Sequence, residues 1–254
     1  MGAGHAHALY VHEHSVVHRI APEAKIVATL AVVGAVALTP REAFWAFGLF
    51  ALILATVATL ARIGPGFIAV RLLGVVPFLL FAFLIPFVGG GEQTVIAGVK
   101  VSIDGLWAMW NIVAKATLGA TTSILLAATT EVSEILRGLT VLRVPSVMTA
   151  IAAFMIRYLE LVVDEFGRMT RAMAARGYVP RWLWQAAPLG AAAGTLFIRT
   201  YERGERVHAA MLARGFDGTM PQITARRASP KDWAVTSTVA LVAVAVAILA
   251  WVLR

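Results

Sequence analysis

The sequence contains no cysteine, and it has few charged residues for its length. Without thiols, the chain can form neither a disulfide nor a thiolate metal site. Charged residues make up 14% of its 254 residues, whereas a soluble domain has about a quarter. Hydrophobic residues reach 59%, and so much apolar surface needs a lipid environment. The composition therefore predicts an integral membrane protein whose partner is the lipid bilayer.

The glycine-rich phosphate loop of ATP-hydrolysing proteins is also missing from the sequence. That loop requires the pattern G-x-x-x-x-G-K-[ST], and the glycines at 89–91 are not followed by the lysine and the hydroxyl residue. Any ATP that drives this protein must therefore be hydrolysed by another chain. A membrane enzyme would need His, Asp or Glu inside its spans, and the apolar stretches carry these only at their ends. We therefore predict that the chain is not an enzyme.

A stand-alone channel or secondary carrier is an alternative for a chain this apolar. Such proteins use polar residues and broken helices at mid-membrane. At mid-membrane, the only polar run is Thr121, Thr122 and Ser123, and hydroxyl groups in helices usually bond to their own backbone or to neighbours. Transport by the purified chain without an ATPase would favour this alternative.

Five apolar stretches are predicted to cross the membrane, because a transmembrane helix needs about 20 apolar residues. They are 20–38, 43–61, 67–88, 105–129 and 233–253. In the third, we expect Pro77 and Pro86 to bend the helix. The loop at 89–104 can form a small external hairpin. The predicted fold class is all-α, a polytopic membrane protein with about five transmembrane helices.

Positive charge is concentrated in one part of the sequence. The net charge is +8, and residues 131–232 carry 14 of the 22 Lys and Arg residues. Basic residues gather on the cytoplasmic side of membrane proteins, which explains the charge without nucleic acid. We therefore expect a multi-pass protein of the inner (plasma) membrane, with the N-terminus in the cytoplasm and the C-terminus outside. The first 25 residues lack an apolar core and a cleavage site, so we expect no cleaved signal peptide.

The residues between the fourth and fifth spans are predicted to form cytoplasmic helices. Arg157 and Glu160 interrupt the apolar stretch 146–163, so we interpret it as an amphipathic helix at the membrane interface. A shorter helix is expected at 131–142, and whether 182–198 crosses the membrane stays open. The predicted division is a His-rich cytoplasmic terminus (1–19), four transmembrane helices (20–130), cytoplasmic or interfacial helices (131–231) and a last transmembrane helix (232–254).

An imperfect repeat lies in this cytoplasmic region, at an offset of 38 residues. Each copy has an acid, a base four residues later, a methionine, then Ala-Arg-Gly and an aromatic residue. The matched pairs are Asp164 with Glu202, Arg168 with Arg206, Met173 with Met211, and Tyr178 with Phe216. An acid four residues before a base forms a favourable ion pair on a helix. The repeat therefore predicts two similar helices with similar ends.

The two Ala-Arg-Gly signatures are candidate docking sites for a partner protein. They consist of Ala175, Arg176 and Gly177 in the first copy, and of Ala213, Arg214 and Gly215 in the second. Each glycine is placed where a left-handed residue ends a helix, and each arginine suits the negative end of the helix dipole. Ordinary helix caps would explain one copy. Two copies favour docking, because the small residues permit close approach and the guanidinium can bind a carboxylate with two hydrogen bonds.

These residues resemble the transmembrane T component of energy-coupling factor transporters. The segment from Ser15 to Lys25 is similar to the start of that family's first span, and the resemblance continues over nearly the whole chain. The segments Glu165–Gly177 and Arg199–Gly218 are similar to the two coupling helices of the family. Within it, the chain is most similar to the CbiQ family of cobalt importers.

The resemblance implies a coupling role in an ATP-driven importer. Two cytoplasmic ABC ATPase subunits would bind the two signatures, hydrolyse the ATP and move the coupling helices. A substrate-binding membrane subunit similar to CbiM, with a small accessory membrane subunit similar to CbiN, would complete the complex. No cofactor and no metal would be bound by this chain. Cobalt is the expected substrate, and nickel or a vitamin such as biotin remain alternatives.

Histidines are frequent near the N-terminus, at His5, His7, His12, His14 and His18. Imidazole binds cobalt, nickel and zinc, but no cluster of acidic or thiol residues completes a site. We therefore interpret these histidines as part of a solvated terminus and assign no metal ligand.

Lys115 is a charge inside the predicted fourth span, and such charges indicate function. Asp104 and Glu131 are not its neighbours on the helix. A polar contact with the substrate-binding subunit and an ammonium reaching the outer face are the two interpretations that remain.

Overall fold

The computed structural model describes residues 10–11, 13, 15–88, 93–96, 99–178, 182–218 and 228–253. These residues are helical except for one short hairpin and the connections, which confirms the predicted all-α membrane fold. The helices are α1 (Val16–Arg19), α2 (Pro22–Leu38), α3 (Phe44–Leu60), α4 (Pro65–Leu72), α5 (Val76–Val88), α6 (Ile103–Thr129), α7 (Val132–Val141), α8 (Ser146–Ala175), α9 (Ala187–Ala213) and α10 (Pro230–Val252). A 3-10 turn, Leu183–Ala186, precedes α9.

The chain divides into two compact units. The membrane unit comprises Leu9–Leu139 and Ala225–Arg254, and the arm unit comprises Met1–Ala8 and Thr140–Thr224. The chain therefore leaves the membrane unit near the end of α7 and returns to it shortly before α10. Among the described residues, the arm unit is built from α8, the 3-10 turn and α9, and α8 packs against α9.

The core of the membrane unit is formed by α2, α3, α6 and α10. Alanines are frequent at these helix contacts, among them Ala46, Ala128 and Ala243, which are fully buried. In lipid, burying apolar side chains contributes little free energy to helix association. Small side chains compensate, because they let the helix backbones approach and pack closely. Many large apolar side chains point outward instead, for example Phe78 and Leu241, which are 72% and 68% exposed. This arrangement is the one expected for helices surrounded by lipid.

Length and composition identify several helices that can span a membrane. Three described helices satisfy both criteria: α6, α8 and α10, and the pair α4 and α5 satisfies them as one broken span. The helices α2 and α3 have 17 residues each, which corresponds to about 25 Å at 1.5 Å per residue and to the lower limit for crossing. The predicted stretches all coincide with helices. α8 satisfies the criteria because its first half is apolar, although the sequence places it at the interface.

The third predicted span is bent before Pro77, as expected from a proline, but it is not bent at Pro86. α4 and α5 meet at an angle of 62°, with the break at residues 73–75. Pro77 is the second residue of α5. In the first turn of a helix, backbone N–H groups have no partner within the helix, so proline, which lacks an N–H, is favoured there. Pro86 lies within α5 and packs against Gly105, where a Cβ would lie 2.7 Å from the Pro86 Cα.

The predicted hairpin is present. Strand β1 (Gln93–Ile96) pairs antiparallel with β2 (Val99–Ser102), with Gln93 opposite Ser102 and Ile96 opposite Val99. The Ser102 hydroxyl then accepts a hydrogen bond from the Gly105 amide and caps α6.

Candidate docking site

The helices α8 and α9 end in the same way. In the first, the Tyr178 amide donates to the Met173 carbonyl at 3.1 Å and the Gly177 amide donates to the Ala174 carbonyl at 3.0 Å. In the second, the Phe216 amide donates to the Met211 carbonyl and the Gly215 amide to the Leu212 carbonyl, both at 3.0 Å. This pair of bonds defines the Schellman motif, which satisfies carbonyls that a helix end leaves open. The two copies of the sequence repeat therefore build two copies of one local structure.

Glycine is required at the turn of each motif. Gly177 has a φ of 82° and Gly215 a φ of 80°, in the left-handed region that other L-residues avoid at a cost of about 1–2 kcal/mol. Nothing lies within 4 Å of a Cβ built on either glycine. The requirement is therefore conformational and not a matter of space. The left-handed caps predicted from the sequence are confirmed.

Both signatures are exposed in the same pattern. The three signature residues of each copy are exposed, whereas the preceding methionine and the following aromatic residue are half-buried. Neither the Arg176 nor the Arg214 guanidinium has a hydrogen-bond or ion-pair partner among the described residues. Each guanidinium stands at the helix C-cap, beside the negative end of the dipole. Two free, forked cation donors are thus presented on two equivalent helix ends.

The ion pairs of the two copies differ, and one prediction fails. Arg206 lies 3.9 Å from Glu202 at the predicted spacing of four. Arg168 instead pairs with Glu165, three residues before it, at 2.6 Å, and not with Asp164. The reason is tertiary: Glu165 also accepts a bond from Arg199 of α9 at 3.1 Å. This carboxylate therefore joins the two arm helices.

A groove of about 400 Å³ lies between α8 and α9 inside the arm unit. Its walls are mainly apolar and include Tyr158, Val162, Val207, Met211 and Phe216. Two of these residues, Met211 and Phe216, are the ones whose backbones close the second Schellman motif. The C-terminal end of α9 therefore forms part of the wall of the groove.

The first helix end has an additional contact. The Tyr178 hydroxyl donates to the Gln185 carbonyl in the 3-10 turn before α9, and this turn carries the stacked, exposed rings of Trp182 and Trp184. Phe216, the equivalent residue in the second copy, has no hydroxyl. In the sequence, the only sign of this difference is that the second copy has phenylalanine where the first has tyrosine. The repeat alone does not show what the tyrosine hydroxyl binds.

His18 corrects the interpretation of a solvated histidine terminus. Its Nε2 donates to the Val11 carbonyl at 3.1 Å, and its Nδ1 lies 2.7 Å from the Ser15 hydroxyl. Burial, and then the nearby charge of Lys25, lower the pKa of His18, so the neutral ring is favoured. The other four N-terminal histidines lie outside the described residues. Among the residues that are described, no group of three or more His, Asp or Glu side chains could hold a metal ion.

Lys115 has a partner within the chain. Its ammonium donates to the Ala37 carbonyl at 2.7 Å, at the C-terminal end of α2. The Trp251 indole N–H donates to the Leu38 carbonyl at 2.8 Å, and the Thr39 hydroxyl donates to the Ala35 carbonyl. The Ala37 and Leu38 carbonyls at this helix end thus receive donors from α6 and α10. An intrachain helix cap is an interpretation that the sequence did not suggest.

A buried polar cluster surrounds the first turn of α2. The Lys25 ammonium donates to the Thr129 carbonyl at 2.8 Å, to the Thr130 hydroxyl at 3.1 Å and to the His18 carbonyl at 3.4 Å. The Glu23 carboxylate accepts a bond from the Ala228 amide at 2.7 Å. Both charged residues are almost completely buried. In the sequence, they are visible only as part of the Ser15–Lys25 resemblance.

Comparison with known proteins identifies the family. A family model described as "CbiQ: Cobalt transport protein" matches residues 13–224. The nickel permease LarQ of Lactiplantibacillus plantarum is 30% identical over 144 residues, which cover 53% of this chain and 48% of LarQ. The cobalt transport protein CbiQ of Rhodobacter capsulatus is 34% identical over 107 residues, 41% of this chain and 43% of that protein.

Relatives also occur in an archaeon. An uncharacterized protein of Methanocaldococcus jannaschii is 27% identical over 146 residues, 57% of this chain and 54% of that protein. The chain spans about half, or less, of the length of the curated relatives it matches. The family match nevertheless extends over most of the chain, through both signatures and the first four predicted spans. The chain therefore belongs to the CbiQ family of cobalt transport proteins and is a membrane transport protein.

Proposed function

We propose that this chain is the transmembrane coupling subunit of an ATP-driven importer, and that its two signatures are the docking points for two ATPase subunits. The observation that carries the proposal is the pair of helix ends with the same cap, each with an arginine whose side chain has no partner among the described residues and which is followed by a left-handed glycine. One such end is a common helix cap. Two such ends on the two helices of one unit provide two equivalent binding sites, as two equivalent partner subunits would require.

The chemistry of each helix end suits an acidic groove on the partner. A guanidinium makes bidentate, charge-assisted bonds to a carboxylate, and such bonds are about twice as strong as neutral ones. The exposed alanine and glycine on either side of the arginine leave room for the wall of the groove. Ala175 and Gly177, with Ala213 and Gly215, therefore permit close fit, while Arg176 and Arg214 supply the bonds.

The proposed complex contains two cytoplasmic ABC ATPases, a substrate-binding membrane subunit similar to CbiM and a small accessory subunit similar to CbiN. ATP is bound and hydrolysed by the ATPases, and this chain holds no cofactor and catalyses no reaction. The signatures and the N-terminus face the cytoplasm, and the C-terminus lies outside. ATP-driven closure of the ATPases moves the arm helices, and this motion reorients the substrate-binding subunit.

The proposed substrate is a divalent cobalt or nickel ion. The names of two relatives, a cobalt transport protein and a nickel permease, support a metal of this class. A vitamin such as biotin is the alternative, since specificity would lie in the substrate-binding subunit. The ion is cargo of the complex and not a ligand of this chain.

Charge reversal at the helix ends tests the docking role. We expect that Arg176→Glu or Arg214→Glu lowers the amount of co-purifying ATPase, and that the double variant abolishes both co-purification and cobalt or nickel uptake, because a glutamate repels the acidic partner. Each variant should still insert into the membrane.

Matched controls are available on the same helices. Arg171→Glu in α8 and Arg206→Glu in α9 make the same charge change at exposed positions away from the helix ends. We expect them to retain the ATPases. Undiminished co-purification with the double variant would refute docking by these residues.

A further inference from the structure

The chain passes between the membrane unit and the arm unit twice. On the membrane-unit side of each passage, a described residue contacts the first turn of α2. The chain leaves the membrane unit after Leu139 and returns at Ala225. Gly138 immediately precedes the exit, and Ala228 follows soon after the return. Within the membrane unit, each of these two residues contacts the turn that contains Glu23.

At the exit, α7 lies directly on the backbone of α2. A Cβ built on Gly138 would lie 2.9 Å from the Ile26 Cδ1, 3.0 Å from the Glu23 amide nitrogen and 3.2 Å from the Pro22 carbonyl carbon. The two backbone distances are tighter than most contacts that Cβ atoms make in proteins. A side chain at this position would therefore push α7 away from α2, whereas glycine permits the close approach.

At the return, the backbone is held by a buried carboxylate. The Ala228 amide donates to Oε1 of Glu23 at 2.7 Å, and Glu23 is only 2% exposed. The next residue, Ser229, caps α10 in a reciprocal pair of bonds with Asp232. The carboxylate therefore fixes the point from which α10 starts.

The α2 turn is itself tied to the end of α6. The Lys25 ammonium donates to the Thr129 carbonyl and the Thr130 hydroxyl, which are both buried. Three spans, α2, α6 and α10, thus meet at one polar cluster.

We infer that Glu23 is a positioning residue for coupling, because it binds Ala228, just before α10, at the turn of α2 that Gly138 of α7 also contacts. This inference rests on the proposed function, in which the arm unit moves when ATP is hydrolysed. With both contacts in place, a movement that reaches α7 or the start of α10 displaces α2 as well. Without the Glu23 bond, the start of α10 moves independently of α2, and less of the movement reaches the other spans.

The test uses the whole complex, reconstituted in vesicles with its ATPases and substrate-binding subunit. Glu23→Ala removes the acceptor. We expect the ATPases to stay bound and ATP hydrolysis to continue, while cobalt or nickel uptake per ATP falls at least tenfold. Hydrogen exchange at the Ala228 amide should rise in the same variant. Glu23→Gln keeps an acceptor oxygen for this amide, so its uptake per ATP should stay within a factor of two of the parent protein.

A second variant probes the exit passage independently. Gly138→Ala places a methyl group against the α2 backbone and should also lower uptake per ATP with the ATPases still bound. Gly34→Ala is the matched control, since nothing lies within 4 Å of its Cβ.

The outcomes separate this inference from the proposed function. Unchanged uptake per ATP in Glu23→Ala, or an equal loss in Glu23→Gln, would overturn the positioning role while leaving the docking role intact. Failure of the unaltered chain to bind ATPases would instead overturn the proposed function.

Discussion

Lys25 and Lys115 show how a single charge is accommodated in the membrane unit. Both ammonium groups donate to backbone carbonyls at helix ends, where the dipole is negative. Lys25 serves three acceptors and is 6% exposed, whereas Lys115 serves the single carbonyl of Ala37. Removing a donor from a buried acceptor costs about 1–3 kcal/mol, so the number of acceptors sets the size of the effect.

We expect Lys25→Met to destabilise the protein by about 3 kcal/mol, because it leaves several buried acceptors without a donor. Lys115→Met is the matched control and should cost about 1 kcal/mol. Thermal unfolding in the same lipid nanodiscs, followed by intrinsic fluorescence, measures both. A larger loss of stability in Lys115→Met would contradict this account of the two charges.

Residues with local tasks were predicted from the sequence, and residues with distant partners were not. Gly177 and Gly215 were identified because a Schellman motif depends on neighbours within six positions. The partner of Lys25, Thr129, lies 104 residues away, and Ala37 lies 78 residues from Lys115. No periodicity or spacing links residues that far apart in one sequence.

At the scale of elements, the ends of α8 and α9 are the features with a direct test. Each helix ends because a glycine adopts the left-handed conformation and the following aromatic amide closes the motif. Since nothing surrounds a Cβ built at Gly215, replacement by alanine costs only the conformational strain, about 1 kcal/mol.

We expect Gly215→Ala to loosen the last turn of α9 and to raise hydrogen exchange in the segment 212–216 about fivefold. Gly194→Ala makes the same substitution inside α9, at a helical position with open space around it. There alanine should slow exchange, because it favours helix by about 1 kcal/mol over glycine. The same direction of change at both positions would argue against the left-handed cap.

Element positions followed from the sequence more closely than element shapes. Every predicted span coincides with helical residues. In lipid, a long apolar segment must satisfy its backbone hydrogen bonds internally, and a helix does so. Of the two prolines expected to bend the third span, Pro77 lies next to the break between α4 and α5, whereas Pro86 does not interrupt α5. The pairing of Glu165 with Arg199 was missed because it joins two helices.

At the scale of the whole molecule, the orientation in the membrane decides whether the proposed function is possible. Both signatures must face the ATPases, and the positive charge of residues 131–232 favours the cytoplasmic side. The absence of cysteine from the sequence makes every introduced thiol a unique label.

We expect Arg176→Cys and Arg214→Cys to react with a membrane-impermeant maleimide only in inverted vesicles. Glu42→Cys, between α2 and α3, should react only in intact cells or right-side-out vesicles, since the proposed orientation places this loop outside. Labelling of position 176 or 214 from outside would exclude docking to cytoplasmic ATPases.

The sequence by itself determined the membrane fold, the positions of the helices, the family resemblance and the two capped helix ends, because each depends on composition or on residues close together in the chain. The tertiary structure decided which partners the buried charges have: Glu23 with Ala228, Lys25 with the end of α6, and Lys115 with the end of α2. Buried charges must find donors or acceptors wherever the packed helices provide them. That choice depends on how distant segments meet, and only the folded chain specifies it.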